Sequence, residues 1–128
     1  MASTSWQTAK DPSGQITEEF VVKRESHRNV TGALWTPKDP VDDTLIAFGH
    51  GASGDRYQAP IPYMANRLGQ LGYTSVALDG PVHGLRQVGP GGREALGLEL
   101  ERQTVIEDMV ADWKVTIDAV ERKNATDT

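Results

Sequence analysis

Hydrophobic and polar positions change their rhythm along this chain, and each rhythm predicts a different element. After a polar start, Ile16 to Lys23 (ITEEFVVK) is rich in β-branched and aromatic residues and predicts a strand. Glu25 to Asn29 predicts a polar turn. Val30 to Thr36 (VTGALWT) alternates well enough for a second strand, stopped by Pro37, and Lys38 to Asp43 has the composition of a loop. These two strands are expected to form an antiparallel, partly exposed hairpin. Thr44 to Phe48 (TLIAF) is instead a short continuous apolar run ended by Gly49, the pattern of a strand buried on both faces, and Thr74 to Leu78 (TSVAL) is a second such run. Between them Ile61, Met64, Ala65, Leu68 and Leu71 share one helical face, and Gly72 stands where a helix C-cap glycine would.

Strand, glycine loop, helix and strand thus occupy Thr44 to Leu78, about the length of a βαβ unit. Val88 to Gly92 reads as a loop. From about Glu94 the chain is predicted helical, most clearly over Arg102 to Arg122, where Ile106, Met109, Val110, Trp113, Ile117 and Val120 form a stripe expected to face a core. The expected fold class is α/β: an N-terminal hairpin feeding a mainly parallel sheet with helices packed on it. Residues 1–15 are expected to be a flexible lead-in, 16–123 the domain, and 124–128 a polar tail.

Composition narrows the functional classes. With 128 residues there is room for one compact domain, and 38% hydrophobic with 24% charged residues is the balance of a globular protein. The net charge of -5 argues against a nucleic-acid partner, which needs clustered Lys and Arg, and here the basic residues are scattered. No cysteine is present, which removes disulfides, thiolate nucleophiles and cysteine-ligated zinc. No apolar run reaches the ~20 residues of a membrane span, and the polar N-terminus has no signal-like apolar core, so no membrane association and a cytoplasmic location are expected.

The chemistry concentrates in the glycine loop. Gly49-His50-Gly51-Ala52-Ser53-Gly54 satisfies G-x-G-x-x-G directly after a predicted buried strand, and Asp79 ends the next strand, where a dinucleotide fold places its ribose-binding acid. That fingerprint needs a helix to begin within the motif. Here Pro60 and Pro62 place the helix start later, so a dinucleotide-binding module is the alternative reading and not the main one.

The segments TLIAFGHGASG and GYTSVALDGPVHGLR together resemble the first half of an α/β-hydrolase, in the dienelactone-hydrolase-like and serine esterase-peptidase branch. The resemblance covers about Ile16 to Arg122. It implies that TLIAF is the family's third strand, ending in a His-Gly loop whose backbone forms part of an oxyanion hole, and that TSVAL is the fourth strand, ending in an Asp-x-x-x-His-Gly loop. Negative charge builds on the substrate oxygen during acyl transfer, and preorganised backbone N–H groups stabilise it. Gly51, Ala52 and Ser53 are the oxyanion-hole candidates, with the Ala52 N–H the foremost. His50, Gly54, Asp79, His83 and Gly84 are expected to shape the two loops.

The same resemblance implies missing parts. A nucleophile elbow reads G-x-S-x-G, and none occurs; Gly51-Ala52-Ser53-Gly54-Asp55 fails at its last position. His27, His50 and His83 do not match the family's catalytic histidine. An independent Ser53, His83 and Asp79 triad is weighed and set below the structural role of the Asp-His-Gly loop. No ligand spacing supports a metal at His50, His83 and Asp79, and no cofactor is expected. In the family's sheet order the third strand lies between the fourth and the nucleophile strand, which this chain is expected to lack, leaving TLIAF with a bare edge. The expected hydrolase is therefore inactive alone or completed by a second chain, and a non-catalytic, edge-pairing interaction subunit is a further alternative.

Overall fold

The computed structural model describes residues 2–25, 27–51, 54–87, 89 and 91–127. Five strands form one sheet: β1 (Ser3–Lys10), β2 (Ile16–Lys23), β3 (Val30–Trp35), β4 (Leu45–Phe48) and β5 (Thr74–Leu78), in the order β1-β2-β3-β5-β4. Three helices accompany it: α1 (Ile61–Gln70), α2 (Gly92–Leu100) and α3 (Val105–Asp127). The mixed α/β class agrees with the patterning. The balance of strand directions does not, because β1, β2, β3 and β5 pair antiparallel in succession and only β4 and β5 are parallel.

The expected lead-in is corrected first. Residues 3–10 form β1, paired along its whole length with β2 from Ser3 opposite Lys23 to Lys10 opposite Ile16. The strand is polar because it is an edge. Its one large apolar side chain, Trp6, packs against Phe20 directly across the pair, with ring centroids 5.2 Å apart. The β1–β2 turn is organised by Asp11, whose carboxylate accepts from the Ser13 and Gln15 N–H groups and from the Trp35 indole. At the other end, α3 runs on to Asp127, so most of the expected polar tail is helical.

Two layers flank the sheet. On one face Phe20, Val22, Val30, Leu34, Val76 and Leu78 meet Ala119 and Val120 of α3, and on the other Ala33, Trp35 and Ala77 meet Ile61 and Ala65 of α1. β3 lies between β2 and β5 with both faces covered and is buried throughout, not partly exposed as expected of a hairpin strand. Gly32 at its centre is dictated by close approach, since a Cβ there would run into the Phe20 ring and the Ala77 carbonyl. β4, expected to be buried on both faces, is the sheet edge and only half-buried. A continuous apolar run does not distinguish a central strand from an edge that lacks a neighbour.

α1 follows its predicted span. Pro62 falls in the first turn, where its missing N–H breaks no helical bond, and Gly72 reverses the chain at φ +93° while the Tyr73 N–H returns to the Leu68 carbonyl. The α3 stripe is a correction. Val105, Asp112, Thr116, Ala119 and Val120 are the buried positions, whereas Ile106, Met109, Val110 and Ile117 are exposed. Apolar periodicity identified the helix but not the face that meets the sheet. Fixed polar contacts set that rotation, because Asp112 is drawn inward by Arg24 and Arg86 and Lys123 pairs with Glu18.

The Ser75 hydroxyl is buried in β5 with no hydrogen-bond partner among the described residues. An unpaired buried hydroxyl costs free energy that its removal returns. Ser75→Ala is therefore expected to raise stability by about 1 kcal/mol, read as an increase in the urea midpoint at unchanged slope.

Candidate functional site

The loops that leave β4 and β5 at their carboxyl ends face each other, the location where parallel α/β pairs gather their sites. Gly49-His50-Gly51 turns the chain off β4, and the His50 ring reaches across to the second loop. The Gly80 N–H donates to His50 Nε2 at 2.7 Å, so Nε2 carries the lone pair and the proton sits on Nδ1, which donates to the Gly51 carbonyl at 2.7 Å. Neutral His50 is thus a brace with both nitrogens used. Gly80 has to be small at this point, since a Cβ would crowd the His50 ring at 3.2 Å. The His83 ring stands 5.1 Å from that of His50 and donates through Nδ1 to the Pro81 carbonyl at 2.8 Å.

Asp79 is the anchor of the site. It is completely buried, and its two oxygens accept from four directions. The Thr31 hydroxyl of β3 donates at 2.6 Å, the Arg56 N–H at 2.9 Å, the Arg56 guanidinium at 3.2 Å and the Leu85 N–H at 3.2 Å. Gly84, at φ +54°, lies against this carboxylate and leaves no room for a Cβ. Val82 adopts φ +60°, which a β-branched residue tolerates only when its surroundings impose it, at a cost of about 1–3 kcal/mol. The turn after β5 is strained and held by Asp79.

Arg56 carries the network outward. Its guanidinium also donates to Glu19 of β2 at 2.8 Å and lies over the Tyr57 ring, and the Tyr57 hydroxyl donates to the same Glu19 oxygen at 2.8 Å. Burial alone would push the Glu19 carboxyl up, but the bonds from Arg56 and Tyr57 outweigh it and hold Glu19 below the usual range. Burial disfavours the Arg56 charge as well, yet Glu19 and Asp79 hold it above its ordinary value. Burial, with Glu19 alongside, pushes the Tyr57 phenol up to about 12. On the other flank Arg86 donates to the Asp79 carbonyl at 3.2 Å and to Asp112 of α3 at 3.0 Å, which joins the loop to the helix.

A half-open cavity of about 210 Å³ lies over the strand ends, bordered by His50, Leu78, His83, Leu96, Met109 and Trp113. The structure thus brings His50, Gly51, Asp79 and His83 together around one space. It occupies the Gly51 N–H, an oxyanion candidate, by a 2.6 Å bond to the Gln58 side chain, and closes a turn from the Gly54 N–H to the Gly51 carbonyl. Ala52 and Ser53 lie outside the described residues. The features of a dinucleotide site do not assemble: α1 begins at Ile61, well beyond Gly54, and Asp79 is engaged inside the fold, out of reach of a ribose. Among the described residues no group of three or more His, Asp or Glu is placed to hold a metal ion. No described helix is long and apolar enough to cross a membrane.

Sequence reasoning missed Arg56, Glu19, Tyr57 and Gln58. None of them carried a local signal: Glu19 is one of two adjacent glutamates in its strand, and nothing nearby pairs it with Arg56.

No family model matches the chain, and no curated protein matches it. Among solved structures, the chain is similar to a cold-adapted esterase from an Arctic intertidal metagenomic library, with a TM-score of 0.60 and 24% sequence identity. The likeness covers 93% of this chain and 50% of that one, so the chain spans about half the length of the esterase. The fold is esterase-like.

Two outcomes are expected of the network. Arg56→Met leaves the Asp79 carboxylate buried without its cation and should cost about 3–5 kcal/mol in urea unfolding; a loss below about 1 kcal/mol would show that the pair is not structurally required. The second concerns pH. Burial raises Asp11 and Glu99 as it does Glu19, but their bonds to Ser13 and Trp35, and to Arg28 and Arg102, hold all three below the ordinary carboxyl range. Groups depressed in the folded state lend stability above their unfolded values and lose it as pH falls through them. The urea midpoint should be level from neutrality to about pH 5 and drop below about pH 4.

Proposed function

We propose that this cytoplasmic chain carries the oxyanion-hole segment of a serine carboxylic-ester hydrolase. The observation that supports this best is the neutral His50 brace. It ties the loop after β4 to Gly80 beside a half-open, largely apolar space at the carboxyl ends of parallel strands. The esterase-like fold supports the same reading.

In this reading the ester's acyl group enters the space between Leu78, Leu96, Met109 and Trp113, and its carbonyl oxygen turns toward the Gly51–Gly54 loop. Charge grows on that oxygen as a nucleophile adds, and the Ala52 N–H is the donor expected to meet it, since Gln58 engages that of Gly51. Rigid mounting matters, because a donor fixed in advance needs no reorganisation when the charge forms. Asp79 and Arg56 act by holding the loop and touch no substrate. The sequence contains no G-x-S-x-G elbow, so the attacking serine, its histidine and its acid come from a further segment or a second chain.

The pure chain should neither turn over a chromogenic short-chain ester nor be labelled at Ser53 by a fluorophosphonate. Butyrate should still perturb the backbone resonances of Gly49, His50 and Gly80 and the indole of Trp113. Hydrolysis with labelling at Ser53 would refute the borrowed nucleophile, and unmoved resonances would refute the acyl site.

A further inference from the structure

We propose that Gln58 is the positioning residue of the candidate site. Its side chain closes a ring of hydrogen bonds around Gly51 and so fixes that peptide at the rim of the cavity. The consequence for a bound ester rests on the esterase reading above, while the ring itself does not.

Gly51 borders the cavity, and both polar groups of its backbone are engaged. The N–H donates to Gln58 Oε1 at 2.6 Å. A backbone N–H can only donate, so the oxygen of the Gln58 amide must be the atom that faces it. The Gly51 carbonyl accepts from His50 Nδ1 at 2.7 Å and from the Gly54 N–H at 3.0 Å. Gln58 does not itself border the cavity, so it acts on that space through Gly51.

Two routes lead from Gly51 back to one turn. The first passes through His50, whose Nε2 accepts from the Gly80 N–H at 2.7 Å. The second passes through Gln58 into the segment before α1. There the Gln58 N–H donates to the Asp55 carbonyl at 3.0 Å, and the Gln58 carbonyl accepts from the Ile61 N–H at 2.8 Å. Arg56, inside this turn, donates its N–H to the Asp79 carboxylate at 2.9 Å. Asp79 and Gly80 are consecutive, so the routes meet and the ring closes. Without the Gln58 side chain, His50 still ties Gly51 to Gly80, but no other described group holds the Gly51 N–H.

The glycine pattern is shaped by the same side chain. A Cβ at Gly54 would run into Gln58 Oε1 and the carbons behind it, whereas at Gly51 it would meet the amide at an ordinary 3.6 Å. Gln58 occupies the place that a side chain at position 54 would take. This glycine of the G-x-G-x-x-G match thus makes room for a group of the protein itself, where the dinucleotide fingerprint makes room for helix packing and a pyrophosphate.

The bond is exposed, so water replaces it when it is lost and the fold as a whole gains little from it. Its effect is local. A peptide fixed in advance needs no reordering when a ligand oxygen arrives beside it.

Gln58→Met keeps the length of the side chain and removes the acceptor, and Gln58→Glu restores an acceptor. With Met, the Gly51 amide should exchange with solvent about fivefold faster and its resonance should move, while Gly80 exchange and the urea midpoint hold. Glu should return Gly51 exchange to within about twofold of the original chain. Butyramide, an uncharged probe with a carbonyl oxygen, should bind about threefold more weakly to the Met variant and recover with Glu. Gly54→Ala, whose Cβ displaces Gln58, should reproduce the Met result and add nothing in a Gln58→Ala chain; it supplies the same comparison should Gln58→Met not fold. Unchanged Gly51 exchange, no recovery with Glu, or tighter butyramide binding to the Met variant would overturn the proposal. Failure of butyramide to bind the original chain would instead remove the esterase reading, and Gly51 exchange alone would then decide the role of Gln58.

Discussion

The carboxylate of Asp79 is sealed from water, and the arrangement of the strand-end loops follows from how its charge is met. An unpaired buried carboxylate is too costly to persist, so donors must converge on it. They come from β3 through Thr31, from the loop after β4 through Arg56 and from the loop after β5 through Leu85. Arg56 then passes the constraint to Glu19 on β2, and Arg86 passes it to Asp112 on α3. Five segments distant in sequence share one electrostatic balance. The strained turn at Val82 and the small residue at Gly84 are local consequences of fitting the chain around that carboxylate.

This anchoring is distinct from the chemistry proposed above it. Asp79 borders the cavity, yet it and Arg56 spend their hydrogen-bonding capacity on the fold, while His50 bridges the two loops in a neutral form with no nitrogen left over. A site held this way is preorganised, as charge stabilisation in acyl transfer requires. At the other side of the sheet β4 is the edge strand and is apolar, and Ile106, Met109, Val110 and Ile117 of α3 are exposed.

Local patterning made much of this legible. β2, β3, β4, α1 and β5 lie close to where propensity, apolar periodicity, Pro62 and Gly72 put them, because those cues act within a few residues. Some loop residues were also visible, since His50, Asp79, His83 and Gly84 were singled out by motif; the first three border one cavity and Gly84 lies against the Asp79 carboxylate. β1 was not legible, because an edge strand needs little apolar content once its partner supplies the hydrogen bonds. Arg56 and Glu19 were equally hidden, as a charge pair across 37 positions leaves no periodic trace.

By itself, the sequence determined the class of elements, their order and the glycine-rich loop between β4 and α1, all of which depend on backbone preference and neighbouring residues. Only the tertiary structure decided which strands lie at the edges, which side of α3 is buried, and that Asp79 serves as an anchor. Those outcomes depend on which surfaces find partners and on where buried charge can be neutralised, and both are settled between segments far apart in the chain.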